Sequence, residues 1–341
     1  MRRRMTMALI LLAVMFASCQ RRPFAEDTTK VNLVLKVNTD VVNHEGHPMP
    51  ETMRVGLYDP AGGAGRYTDY VGPEGGYIYP MAGTYDLIVY NIGTESTQVR
   101  KESSHGEIEA FTSEVSSFLK SQLSRFLAKR AQARAERAKA EAQNGTKGSK
   151  PETSAPSDEE KIVYEPDHLF VGNVKGVVIP ALLEGDEDRE IMLEVDARSV
   201  VETWKISLTN VEGLEWVQSV VAIISGQSGS HFIGRQEDSD DVVSIYFEMK
   251  PDKEKGLITG QFNTFGKHPQ VQSDLSLDIN VTDTGGDEHH YHFDVDSEFM
   301  ENPELHIEVE EEIKVEEPKG GGGGFVPSVE DWDEIKTEIN I

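Results

Sequence analysis

Short stretches in which apolar and polar residues alternate, set between glycine and proline turns, constrain this chain more than any other feature. Val31, Leu33, Leu35 and Val37 alternate with Asn32, Val34, Lys36 and Asn38, the period of a strand with one buried face. Further strands are expected at Met53 to Tyr58, Gly76 to Tyr79 and Thr84 to Asn91, separated by Asp59-Pro60, by Gly62-Gly63-Ala64-Gly65 and by Ala82-Gly83. Pro80 fixes φ and Gly83 supplies a corner, so the chain returns with Tyr85, Leu87 and Val89 on one face. With no helix between these strands, an antiparallel sandwich is the expected packing.

The pattern resumes after residue 160. Ile191, Leu193 and Val195 alternate with polar residues, and Val200, Trp204, Ile206 and Leu208 share a parity that turns Trp204 inward. Val220 to Ser225, Val242 to Met249, Leu257 to Phe262, Leu275 to Val281 and His289 to Val295 supply further strands, with turns at Glu212-Gly213, Ser225-Gly226, Pro251-Asp252 and Gly285-Gly286. This is a second, larger sandwich. Between the two, Ile108, Phe111, Val115, Phe118, Leu119, Leu123, Phe126 and Leu127 recur at three- and four-residue spacing, which predicts an amphipathic helix from Gly106 to Gln143 capped by Ser103 or Ser104. Beyond Leu127 the stripe gives way to Lys129, Arg130, Arg134, Arg137 and Lys139. Two readings fit: a stripe packed on a sandwich with a solvated basic extension, or a basic face for lipid headgroups or an acidic partner. Residues 144–160, rich in Gly, Ser, Thr, Pro and charge, read as linker.

No disulfide can hold these strands, because Cys19 is the only cysteine of 341 residues. It follows Met1-Arg2-Arg3-Arg4, an apolar run from Ala8 to Phe16, and Phe16-Ala17-Ser18, the pattern of a bacterial lipoprotein signal cleaved before a lipidated cysteine. The apolar run falls short of the roughly 20 residues a membrane span needs. Cleavage would remove Arg2, Arg3 and Arg4 and take the formal charge from −27 to −30. So acidic a surface repels phosphate backbones and anionic headgroups, which argues against nucleic acid and leaves the lipid on Cys19 as the membrane contact. The expected location is the outer membrane, with either the periplasmic or the cell-surface face open.

The runs Met53-Arg54-Val55-Gly56-Leu57-Tyr58-Asp59-Pro60 and Tyr79-Pro80-Met81-Ala82-Gly83-Thr84-Tyr85-Asp86-Leu87-Ile88-Val89-Tyr90-Asn91 resemble a family of Bacteroidales lipoproteins. Later landmarks keep its order: Asp167-His168-Leu169-Phe170-Val171-Gly172, Ala197-Arg198-Ser199, Phe262, Thr264-Phe265-Gly266, and a Gly-rich stretch before Asp331-Trp332. That family is similar to the fimbrillin-associated anchor proteins. The resemblance implies two tandem transthyretin-like β-sandwich domains, a fimbrial subunit as partner, and a place at the base of surface fimbriae. The expected organisation is a signal peptide at 1–18, a tether at 19–30, a sandwich at 31–105, the helical insert and linker at 106–160, a sandwich at 161–317, and a Gly-rich hinge with a terminal strand at 318–341.

Chemical motifs are few. His290, His292, Asp294 and Asp296 would share one face of a strand and offer a histidine and carboxylate set for zinc, although the same alternation suits an outer strand without metal. Gly226-Gln227-Ser228-Gly229 is one residue short of a nucleophile elbow, and Gly320 to Gly324 lacks the Lys-Ser/Thr of a phosphate loop. The sequence therefore reads as a non-enzyme with no cofactor. Its strongest functional candidate is the tail, where Trp332 precedes Ile335, Thr337, Ile339 and Ile341 alternating with Lys336, Glu338 and Asn340. Five glycines before it make a joint with a reach of about 12 Å. Such a strand can complete its own sheet or add to an open edge of a partner subunit, and Trp332, Ile335, Ile339 and Ile341 are the candidate partner-binding residues. The alternative function is a surface glycan-binding lipoprotein whose platform would be built from Trp216, Tyr67 and Tyr70.

Overall fold

The computed structural model describes residues 28–38, 50–143, 161–181, 190–268, 275–297 and 304–318. In chain order the strands are β1 (Val31–Asn38), β2 (Met53–Tyr58), β3 (Gly65–Val71), β4 (Gly75–Ile78), β5 (Gly83–Asn91), β6 (Thr97–Arg100) and β7 (Glu109–Thr112). Helices α1 (Ser117–Gln122) and α2 (Ser124–Gln143) follow, then β8 (Ile162–Tyr164), β9 (Phe170–Ile179), β10 (Ile191–Ser199), β11 (Glu202–Leu208), β12 (Val211–Glu212), β13 (Val217–Ser228), β14 (Ser230–Phe232) and β15 (Glu237–Asp238). The described chain ends with β16 (Val242–Asp252), β17 (Leu257–Thr264), β18 (Ser276–Asp283), β19 (Glu288–Asp294), β20 (His306–Val309) and β21 (Ile313–Lys314). The protein is mainly β, and its sheets curl into barrel-like sandwiches.

The N-terminal sheet runs β3-β2-β5-β9-β10-β1-β4. Its two outermost strands are neighbours in sequence, so the short link from Val71 to Gly75 joins one edge to the other and curls the sheet on itself. Gly75 permits this: at φ 104° it crosses Leu33 so closely that a Cβ would lie 1.9 Å from the Leu33 carbonyl oxygen. The inward faces bury Val31, Leu33, Val55, Leu57, Leu87, Val89, Phe170 and Val195 in one core, with Tyr85 packed against it. The alternation expected for β1 and β5 therefore holds.

The structure differs from the sequence reading in sheet membership. Strands β9 and β10, grouped by sequence with the C-terminal sandwich, hydrogen-bond inside the N-terminal sheet. Nor is that sheet purely antiparallel, since β1 pairs with β10 in parallel, Val31 opposite Ile191. Hairpin turns dictate antiparallel pairing only for strands close in sequence; strands this far apart are free to pair either way.

The C-terminal sheet runs β19-β18-β13-β16-β17-β11-β20, with β8 added in parallel to β16. Trp204, Ile206, Ile224, Phe247, Phe262, Leu277, Ile279 and Phe293 fill its core, and Trp204 is buried as its parity requires. A four-stranded sheet, β15-β14-β7-β6, bridges the two larger ones.

The helix begins later than its spacing suggests. Ile108 is buried in the core between the sheets and Phe111 belongs to β7, whose neighbours are β6 and β14; the local three- and four-residue spacing there is overridden by strand pairing. Ser116, not Ser103 or Ser104, caps α1, its hydroxyl accepting from the Leu119 N–H at 3.2 Å. Val115, Leu119, Leu123, Phe126 and Leu127 do form one apolar seam, packed on Ile162, Val221, Ile223 and Tyr246, whereas Phe118 is exposed. Among the described residues no helix is long and apolar enough to cross a membrane.

Candidate functional site

Cys19, the Gly-rich hinge and the four tail residues Trp332, Ile335, Ile339 and Ile341 lie outside the described residues. The described chain stops beside an edge of the C-terminal sheet. Pro318 packs on Gly285 in the β18–β19 turn, and the Tyr291 hydroxyl of β19 donates to the Lys314 carbonyl at 2.6 Å.

Landmarks scattered through the sequence meet at the junction of the two large sheets. Asn91 ends β5 with its side chain facing the crossover to β9: its amide donates to the His168 carbonyl at 3.1 Å, and its oxygen accepts from the Phe170 N–H at 2.7 Å. The Asp167 carboxylate accepts from the Ser96 and Thr97 N–H groups at 2.5 and 3.1 Å. The buried His168 ring spans Ser199 Oγ at 3.1 Å from Nδ1 and Thr203 Oγ1 at 3.0 Å from Nε2. Thr203 gives its proton to Asn263 Oδ1 at 2.6 Å, and Ser199 gives its own to the Val201 carbonyl at 2.8 Å while accepting the Val201 N–H at 3.1 Å.

Ser199 and His168 stand at the separation of a nucleophile and its base. The group on the far side of the ring is a hydroxyl, however, and not the carboxylate that orients a catalytic histidine. Beside them burial pushes the Glu165 carboxyl up to about 7 against the Asn263 N–H that it accepts at 3.0 Å, with Asp167 and Glu248 adding to the rise. Apolar packing completes the junction, with Tyr58, Ile88, Tyr90, Leu169, Ile233 and Phe265 in one core. Gly234 is required there, since a Cβ would fall 1.7 Å from the His105 carbonyl oxygen. The arrangement binds its own donors and acceptors to one another and fixes one sheet to the next.

The outer face of the C-terminal sheet carries a second polar cluster. Asp278 on β18 is fully buried and takes Arg130 Nε of α2 at 2.8 Å on one oxygen, with His290 Nε2 at 3.2 Å and His292 Nδ1 at 2.8 Å on the other. Arg130, 1 % exposed, also donates to Ser244 Oγ at 3.3 Å. Burial alone would raise the Asp278 carboxyl, but hydrogen bonds from both histidines and the Arg130 charge outweigh it and hold it well below the usual carboxylate range.

This cluster absorbs the histidines that the sequence offered to a metal. His290 and His292 do share a face, but each turns a nitrogen to Asp278, while Asp294 accepts from the Asp296 N–H and Asp296 from the Leu275 N–H. Among the described residues no group of three or more His, Cys, Asp or Glu side chains is arranged to hold a metal. Sequence reading missed the Arg130–Asp278 pair although a signal existed: Arg130 follows Phe126 by four residues and so continues the apolar seam.

The aromatic platform does not assemble as expected. Trp216 packs against the core of the C-terminal sheet and Tyr67 against that of the N-terminal one, leaving Tyr70 exposed apart from both. An open cleft of about 440 Å³ is lined by Arg54, Arg66, Tyr67, Thr68, Glu102 and Ser103.

Comparison with known proteins agrees with this architecture. Residues 18–248 match the family model described as a domain of unknown function (DUF5119). A proposed fimbrium anchoring subunit of Bacteroides ovatus, Fim4B, is 26% identical over 97% of this chain and 98% of its own length. The crystal structure of a candidate adhesin from Bacteroides ovatus superposes with a TM-score of 0.58 at 24% identity, covering 89% of this chain and 98% of that one. The fimbrial anchor protein Mfa2 of Porphyromonas gingivalis is more distant, with 13% identity, a TM-score of 0.45, and 82% and 86% of the two chains covered. With the family model spanning most of its length, the chain belongs to the DUF5119 family.

Proposed function

We propose that this protein is a structural subunit of a fimbrium, envelope-associated and held at the outer membrane by a lipid on Cys19, and that it works through protein–protein contacts and not catalysis. The observation that carries the reading is the end-to-end match to a proposed anchoring subunit, which leaves no large part of either chain unaccounted for. The junction supports it. An anchor must transmit tension from one end of the chain to the other, and hydrogen bonds from Asn91, Asp167 and His168 tie the segment between β8 and β9 to β5, β6, β10 and β11, where the chain passes between the two large sheets. On this reading the two sheets are tandem transthyretin-like sandwiches, and α1 and α2 an insertion that precedes the last two strands of the first.

The tail is assigned the partner contact. The described chain ends at Pro318 near the β18–β19 turn, and β19 is an edge strand among the described residues, so a tail strand carrying Trp332, Ile335, Ile339 and Ile341 can add to that edge or to the edge of a fimbrial subunit. Deleting residues 325–341 tests this. Loss of co-purification with fimbrial subunits at unchanged thermal stability is expected for strand donation. A variant that melts earlier yet still co-purifies would return the tail to its own sheet.

A further inference from the structure

Among the described residues, nothing covers the outer face of the N-terminal sheet where the chain enters it. Along β4 and the residues after it, Tyr77, Tyr79 and Met81 alternate with the buried Ile78 and Pro80, so all three point outward, at 48, 49 and 66 % exposure. Tyr77 stands opposite Asn32 on β1, and Asn32 stands opposite Met192 on β10, itself 63 % exposed, so the patch continues across three strands. The Lys30 ammonium sits 4.1 Å from the centre of the Tyr77 ring. Exposed tyrosines and methionines gathered with a lysine are unusual on a protein that needs only water around it. They suit a membrane–water boundary, where a tyrosine ring lies among acyl chains with its hydroxyl wet and a lysine stem reaches outward.

The position of the patch selects its occupant. Thr28, the first described residue, bridges Met81, and the Thr29 N–H bonds the Pro80 carbonyl at 2.8 Å, so the chain enters the fold along the patch itself. Cys19 precedes Thr28 by nine residues, a reach of about 30 Å at most when fully extended. A lipid on Cys19 would therefore hold the patch within that distance of the bilayer at a millimolar-order effective concentration, at which weak contacts suffice. The neighbouring charges set the lipid type. Glu190 bonds the Tyr77 hydroxyl and Glu194 pairs with Lys36 on the same face, in a chain of formal charge −27, so a neutral zwitterionic surface is favoured over an anionic one.

We propose that Tyr77, Tyr79, Met81 and Met192, with Lys30, form a membrane-resting face that seats the N-terminal sheet on zwitterionic lipid beside the anchor. The proposal rests on lipidation of Cys19. Because that sulfur is consumed by the lipid, a single introduced cysteine is the only thiol to label. Full-length lipidated protein carrying Met81→Cys, Met192→Cys or, as a distant control, Lys253→Cys in the β16–β17 hairpin is labelled with an environment-sensitive fluorophore. It is then reconstituted on vesicles of phosphatidylethanolamine and phosphatidylcholine with spin-labelled acyl chains. Quenching at positions 81 and 192 at least about twofold stronger than at 253 is expected. It should weaken in a Tyr77→Asp, Tyr79→Asp background that melts at the same temperature. Protein that floats with the vesicles but is quenched equally at all three sites overturns the docking and leaves the anchor intact. Protein that fails to float overturns both. A blue shift at 81 and 192 without vesicles assigns the face to another protein copy and overturns the lipid proposal.

Discussion

Each large sheet has an outer face to cover, and the chain covers the two with different chemistry. Over the N-terminal sheet the small bridging sheet lays an apolar layer, in which Tyr58, Ile88 and Tyr90 meet Ile108, Leu169 and Ile233. Over the C-terminal sheet the cover is a helix, seated by Phe126 and its apolar neighbours but oriented by Arg130, whose charge is removed from water to meet Asp278. The apolar layer tolerates small shifts, since burial has no preferred direction. An ion pair at 1 and 0 % exposure does not, because each charge without its partner would be stranded in a low-dielectric interior. The helix is thus keyed to one place on its sheet, whereas the bridging layer is located by the hydrogen bonds around it.

That contrast breaks most sharply at the ion pair. Arg130→Ala leaves Asp278 buried with the two histidines and a long contact from Ser276 Oγ, and should cost about 3–5 kcal/mol in a denaturant titration at neutral pH. A loss under about 1 kcal/mol, the range of an exposed pair, would mean that the helix is held by its apolar seam alone. The same carboxylate gives the effect a pH window. Its folded pKa is depressed, so its contribution is complete above the unfolded value of about 4 and fades as the pH falls toward the lower folded one. The difference between wild type and Arg130→Ala should accordingly shrink in acid.

A smaller effect is expected at the junction. Asn91→Ala removes two buried hydrogen bonds and strands the Phe170 N–H and the His168 carbonyl, a loss of about 2–3 kcal/mol in the same titration. If the loss falls below that of an exposed substitution, the bridging layer needs no hydrogen-bond locator and the contrast with the helix disappears.

The smallest expected effect has the opposite sign. Glu165 is raised to about 7, so between roughly pH 4.5 and 7 the folded state holds a proton that the unfolded state has lost, and stability falls as pH rises through this window. Glu165→Gln keeps an acceptor for the Asn263 N–H and removes the charge, and at pH 8 should stabilise by about 1–2 kcal/mol while flattening that slope. An unchanged slope would show that the carboxylate is adequately solvated where it stands.

How much could be read from sequence varied with the range of the interaction responsible. The strands around Leu33, Leu87 and Trp204 were legible because a period of two is a local consequence of one buried face. The apolar seam from Val115 to Leu127 was legible for the same reason at helical period. Phe111 was not, because whether a residue with apolar neighbours at three and four joins a helix or a strand depends here on β14, more than a hundred residues away. Asn91, Asp167 and His168 stood out as sequence landmarks, yet nothing local said that they would meet. Arg130 and Asp278 each looked like an ordinary surface charge, since only their partnership, 148 positions apart, makes their burial possible.

By itself the sequence determined the buried faces of strands such as β1 and β5 and of the helical seam from Val115 to Leu127, a lone cysteine behind an apolar run, and an acidic surface that argues against nucleic acid. Those properties follow from residue spacing and composition, which no partner can alter. The tertiary structure alone decided that β9 and β10 return to the first sheet, that β1 lies parallel to β10, that two histidines serve a buried aspartate, and that Tyr77, Tyr79, Met81 and Met192 are exposed near the point where the described chain enters. These depend on which distant surfaces lose water to one another, a choice made by the sum of the packing and carried by no single stretch of chain.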